Sequence, residues 1–129
     1  MIFFIFSGYL FAQQSTLPGN EKLAIIWTSA DKEVATHMVF MYTLNSRKYG
    51  WWKDITLVAW GPSQKLLIED KELQEYIKKI KDAGVTLKAC KMCADMYGIS
   101  AKLEKLGFEV KYMGELTDYL KEGRHVMTF

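Results

Sequence analysis

The chain has 129 residues, half of them apolar, which is enough for one domain with a real core and too short for two. Seventeen Lys and Arg stand against fifteen Asp and Glu, a formal charge of +2, and no basic run is interleaved with aromatics, which argues against a nucleic-acid partner. Two cysteines are too few for a disulfide scaffold, and a domain of this size does not need one.

The chain opens with "MIFFIFSGYLFAQQ", an apolar run too short to cross a bilayer as a helix but of the right size for the core of an export signal. The basic residues that open such signals are missing, as a start codon called a few residues late would explain. Residues 1–12 are therefore read as a signal peptide with cleavage after Ala12, implying a periplasmic or secreted protein with no stable membrane span. The alternative is an N-terminal strand or anchor on a cytoplasmic protein. Residues 13–21, with Pro18 and Gly19, read as a linker.

From Lys22 short apolar runs alternate with helical periods. "KLAIIWTS" (22–29) has the near-continuous apolar character of a strand buried on both faces. A helix is expected from about Asp31, its N-cap, to Lys48. In "VATHMVFMYTL" (34–44), Val34, Met38, Met41 and Tyr42 make one apolar face, and Phe40 and Leu44 another. A helix apolar on two sides calls for a second partner, so a homo-oligomer is expected through it, helped by Trp51 and Trp52.

"DITLVAW" (54–60) is a second strand. A Gly61-Pro62-Ser63 turn follows, then one or two helices through Ala83, with Asp70 as a cap and Leu73, Ile77 and Ile80 facing inward. Lys78, Lys79 and Lys81 make a solvated face, and Gly84 ends this helix. "VTLKA" (85–89) is the third strand, followed by the cysteine segment and helical turns to Leu106. "FEVKYM" (108–113), a helix from about Thr117 to Gly123, and "HVMTF" (125–129) complete the chain. The alternation predicts a single α/β domain over 22–129, three-layer α/β/α, with a mostly parallel five-stranded sheet.

Right-handed crossovers bring the loops Thr28–Asp31, Gly61–Ser63, Cys90–Asp95 and Gly114–Thr117 to the carboxyl edge of such a sheet, where α/β proteins bind ligands. Thr28, Ser29, Gly61, Ser63, Asp95 and Gly114 are the expected cleft-lining residues. Cys90, at a strand end and a helix start, faces free N–H groups and the positive end of the helix dipole, so a thiolate nucleophile is expected there. Cys93, one turn on, could resolve a mixed disulfide or accept sulfur. Asp95 would oppose the thiolate if close, and Lys91 would assist it.

Other uses of the pair fit less well. Zinc wants about four ligands, and His37 and His125 lack finger-like spacing. A thioredoxin would carry the motif after an early strand and a cis-proline later, whereas the prolines here are Pro18 and Pro62. "TSADKE" lacks the glycines of a phosphate loop; Thr28 and Ser29 are better suited to capping the helix than to binding an anion. Buried structural cysteines are the plain alternative.

In the order of its elements and in "GVTLKACKMCADMYGI" the chain resembles the DsrE family of small sulfur-handling proteins. The resemblance runs from Lys22 to Phe129 and includes the opening "KLAIIWTS" and the closing "YLKEGRHVMTF". It implies an α/β fold and assembly as trimers or hexamers. It also implies sulfane sulfur carried as a persulfide between donor and acceptor proteins or small sulfane compounds, without cofactor or metal. The family's cysteine between strand and helix matches Cys90; Cys93 is a second cysteine that some relatives carry. An export signal departs from the cytoplasmic members that serve transfer-RNA thiolation. A dithiol-disulfide redox protein using Cys90 and Cys93, and a non-catalytic oligomeric binding module, are the other two functions the sequence leaves open.

Overall fold

The structure is a computed structural model that describes residues 19–129. The expected signal peptide (1–12) and most of the linker (13–18) lie outside the described residues; Gly19–Glu21 close the linker as one 3-10 turn.

Five strands form one sheet: β1 (Lys22–Trp27), β2 (Asp54–Ala59), β3 (Thr86–Cys90), β4 (Glu109–Lys111) and β5 (His125–Thr128). Their order is β4-β3-β2-β1-β5, and every pairing is parallel. In β1 and β2 every residue after the first is buried, as the unbroken apolar runs require of strands covered on both faces. Each step from β1 through β4 moves one strand along the sheet. The last connection returns across it to place β5 beside β1.

The path from β1 to β2 departs from the expected single α-helix. Asp31 does cap it, its Oδ1 accepting the Val34 N–H at 3.0 Å. Val34–Phe40 is then π-helical and runs straight into α1 (Met41–Lys48). The wider π turn lets two successive residues, Val39 and Phe40, both reach the core and lose all exposure. Phe40 meets Trp27 edge-on with centroids 4.9 Å apart, and Tyr76 lies 5.2 Å from it on the other side. Thr43, also buried, returns its hydroxyl to the Val39 carbonyl at 2.6 Å.

Helices α2 (Pro62–Glu69) and α3 (Lys71–Asp82) are separated by one extended residue, Asp70, whose carboxylate accepts the Leu73 N–H at 3.0 Å and caps α3. Leu73, Ile77 and Ile80 are wholly buried, as their spacing predicts. Beyond the end of α3, Gly84 takes φ +96°, a left-handed conformation that favours glycine. Helices α4 (Lys91–Tyr97) and α5 (Ser100–Lys105) connect β3 to β4. Helix α6 (Gly114–Lys121) starts three residues before the expected Thr117. Met113 and Leu116 pack on the sheet, and the Leu116 N–H bonds to the Met113 carbonyl at 3.0 Å, which draws the first turn forward.

The two faces of the sheet are covered unequally. One carries the main core, built with the π-helical stretch and α1–α5; the other carries Ala24, Ile26 and Val58 beneath Met113, Leu116 and Tyr119. Polar ties hold α6 where apolar area is scarce. Lys88 pairs with Glu115, and the Arg124 guanidinium lies 4.2 Å from the Tyr119 ring centre and donates to Thr56 Oγ1 at 3.1 Å.

Candidate functional site

The carboxyl ends of the strands lie along one rim, and Cys90, the last residue of β3, stands on it. A belt of side-chain hydrogen bonds runs along this rim. The Thr28 backbone N–H and hydroxyl both donate to the Phe129 carbonyl, at 2.7 and 2.8 Å, joining β1 to the chain after β5. Ser63 Oγ donates to the Trp27 carbonyl at 2.6 Å and accepts the Trp60 N–H at 3.2 Å, joining β1 to β2. Gln64 Nε2 donates to the carbonyls of Ala59 at 2.9 Å and Cys90 at 3.1 Å, joining β2 to β3.

This belt corrects part of the expected cleft. Ser63 is wholly buried and spends its hydroxyl on strand ends. Strand order reverses between β1 and β5, two strands from Cys90, where Thr28 and Phe129 extend the pairing of those strands. Thr28 does line an apolar groove of about 330 Å³ with Ile26, Trp60, Leu116, Leu120 and Thr128. Ser29 accepts the Asp31 N–H at 3.1 Å, a local turn contact. Gly61 makes the turn into α2 at φ +71°, and Gly114 opens α6 on the surface.

Cys90 is the N-cap of α4: its backbone is extended (φ −65°, ψ 116°) and its Sγ accepts the Cys93 N–H at 3.5 Å. Both cysteines are free thiols, Cys90 with 5% of its surface exposed and Cys93 half-buried. The surroundings of the sulfur oppose the expected thiolate. Burial is the largest influence and pushes the Cys90 thiol above its ordinary range. The N–H groups of Cys93 and Met92 pull the other way, while the neighbouring Cys93 thiol adds to the rise. A seven-residue helix does not offset the loss of water around the sulfur.

The charges expected to tune the thiol are engaged elsewhere. Asp95 receives Lys91 Nζ at 2.6 Å and the Ser100 hydroxyl at 2.6 Å, and Lys91 followed by Ser100 holds its carboxyl below the usual range. Lys91 lies 5.7 Å from the Tyr112 ring centre. Asp95 thus shares the segment with the thiols but serves α4 and α5. Gln64 was not foreseen as a site residue. Its signal was a polar residue where the spacing to buried Leu67 points inward on α2.

Among the described residues no group of three or more His, Cys, Asp or Glu is arranged to hold a metal, and no helix is long and apolar enough to cross a membrane. Met38 and Met41 are about half exposed (48% and 45%) and line, with Tyr42, Trp51, Met127 and Phe129, a groove of about 390 Å³.

A family model described as the DsrE/DsrF-like family matches residues 2–129. Protein BT1422 of Bacteroides thetaiotaomicron, a protein of unknown function, has a similar solved structure: TM-score 0.84 and 38% identity, over 88% of this chain and 98% of that one. The ychN protein of E. coli superposes with TM-score 0.67 at 20% identity, over 84% of this chain and 98% of that one. MTH1491 of Methanobacterium thermoautotrophicum, also of unknown function, gives 0.64 at 18%, over 84% and 99%. The last two show the fold alone. Among curated proteins none matches.

Proposed function

We propose, for a chain that belongs to the DsrE/DsrF-like family, that Cys90 binds and passes on sulfane sulfur as a persulfide. The observation that carries the reading is the placement of a free thiol at a strand end, its sulfur facing the Cys93 N–H at the start of α4. The Cys90 thiolate attacks the outer sulfur of a donor R–S–SH. A new S–S bond forms, the donor's S–S bond breaks, and R–S⁻ leaves with the bonding electron pair, giving Cys90–S–SH with no net oxidation. An acceptor thiolate then repeats the exchange and returns Cys90 as thiolate.

Burial raises the Cys90 thiol above its ordinary range, so loading calls for its deprotonation. A partner or donor that supplies a base, or a loading reaction at higher pH, speeds it. Cys93 is a nearby second thiol suited to receiving the sulfur, and no step needs a metal. Assembly as a homo-oligomer, a trimer or hexamer by family likeness, would cover the half-exposed Met38 and Met41.

Cys93→Ser separates this chemistry from a dithiol-disulfide cycle. Incubated with a polysulfide donor and weighed intact, it is expected to gain sulfur as the wild type does. Loss of two hydrogens from the wild type, with no sulfur gain in either form, would replace the persulfide reading with the redox pair.

A further inference from the structure

We infer that Gln64 is the positioning residue of Cys90, a role that rests on the reading of Cys90 as the sulfur-bearing residue. Gln64 is wholly buried, yet it is neither apolar nor fully paired. Nε2 spends its hydrogens on two main-chain carbonyls of neighbouring strands, Ala59 on β2 and Cys90 on β3. Those two acceptors fix the orientation of the amide, because a carbonyl accepts and does not donate. Oε1 is then left inside the protein without a partner. A buried polar atom with no partner is unfavourable, and a leucine or methionine would remove Oε1 only at the cost of the bonds that Nε2 gives the Ala59 and Cys90 carbonyls. The amide is explained by what it holds.

What it holds is the main chain of the proposed sulfur carrier. The Cys90 carbonyl leads directly into the peptide of Lys91 and the first turn of α4, whose Cys93 N–H points at Sγ. Anchoring that carbonyl to β2 fixes the extended conformation from which Cys90 caps the helix. Ser63, the next link of the same belt, ties β1 to β2 and touches neither Cys90 nor α4 in this way. Ser63 is therefore a control that loosens the belt one strand away.

The groups whose charge bears on the readout are few. The Cys93 thiol acts on Cys90 from α4, Lys111 is its register partner on β4, and Lys88 stands two residues back on β3, paired with Glu115 of α6 and Glu109 of β4. Lys91 of α4 is engaged by Asp95. None of these is altered by a change at position 64.

The test is the pH profile of Cys90 alkylation, read by peptide mapping so that Cys93 is scored separately, in wild type, Gln64→Met and Ser63→Ala. All are measured well below their unfolding temperatures. Gln64→Met is expected to move the Cys90 profile to higher pH and to slow alkylation at pH 7 by about threefold or more, the effect of ~0.5 pKa unit on the thiolate fraction. Ser63→Ala is expected to keep the wild-type profile even where it lowers the unfolding temperature as much. A wild-type profile in folded Gln64→Met, or the same shift in both variants, would overturn the positioning role.

A second measurement needs no variant. The Gln64 side-chain NH₂ of the wild type is expected to exchange with D₂O far more slowly than exposed glutamine amides such as a denatured control shows. Exchange at the exposed rate would remove the cross-link and the inference with it. Failure of the underlying reading looks different: wild-type Cys90 would take up no sulfur, whatever the profiles show.

Discussion

At the scale of single residues, Cys90 combines two opposed influences. It caps a helix, which favours the thiolate, and it is almost wholly buried, which favours the thiol more. Its alkylation is therefore expected to keep rising with pH beyond the ordinary thiol range of about 8.5, while denatured protein follows the ordinary range. Rates measured by peptide mapping across pH 6–10 check this, and a Cys90 profile centred below the denatured one would contradict it. The sign for stability follows. A group whose pKa is raised by folding contributes stability that is complete below its unfolded pKa and lost as pH climbs through the folded one. Alkaline loss of stability should accordingly shrink in Cys90→Ser. The position of Cys90 was legible because the strand period ends where the helix period begins. Its titration was not, since burial depends on elements that arrive from elsewhere in the chain, among them β4, where Lys111 is its register partner, and α2, where Gln64 bonds its carbonyl.

At the scale of elements, most boundaries followed from local chemistry. Asp70 is the clearest case: an acidic residue before an apolar helical period, found extended and bonded to the Leu73 N–H, and also 2.9 Å from Lys32 Nζ. Lys32 and then the Leu73 N–H hold its carboxyl below the usual range, so this contribution is present at neutral pH and lost as pH falls through the lowered value. Asp70→Ala is expected to lower stability by about 1 kcal/mol, the usual loss of an N-cap, in denaturant unfolding at pH 7, and by less in acid. An unchanged midpoint would remove the cap from the account. The π-helical turn was not legible, because residues 34–44 satisfy an ordinary helical period on paper. The wider turn goes with tertiary packing that buries both Val39 and Phe40, Phe40 against Trp27 and Tyr76. The early start of α6 has the same origin, in the contacts of Met113 and Leu116 with the far face of the sheet.

At the scale of the whole molecule, alternation of strand and helix was enough to read a parallel three-layer domain, since right-handed crossovers leave few other ways to join the strands. The return of β5 to the side of β1 was beyond the sequence; it puts the point where strand order reverses two strands from Cys90, beside the groove that Thr28 lines. The unequal layers leave the Met38 and Met41 surface uncovered on the side of the main core. Assembly through it predicts a particle larger than one chain by light scattering at micromolar concentration, and Met38→Asp with Met41→Asp is expected to return it to a monomer. A monomeric wild type would contradict that interface. The central claim is that one sulfur atom resides on Cys90. It is tested most directly by intact mass spectrometry after brief exposure to a polysulfide donor. The account predicts a gain of about 32 mass units that survives in Cys93→Ser and vanishes in Cys90→Ser. A gain that persists without Cys90, or no gain in the wild type, would contradict it.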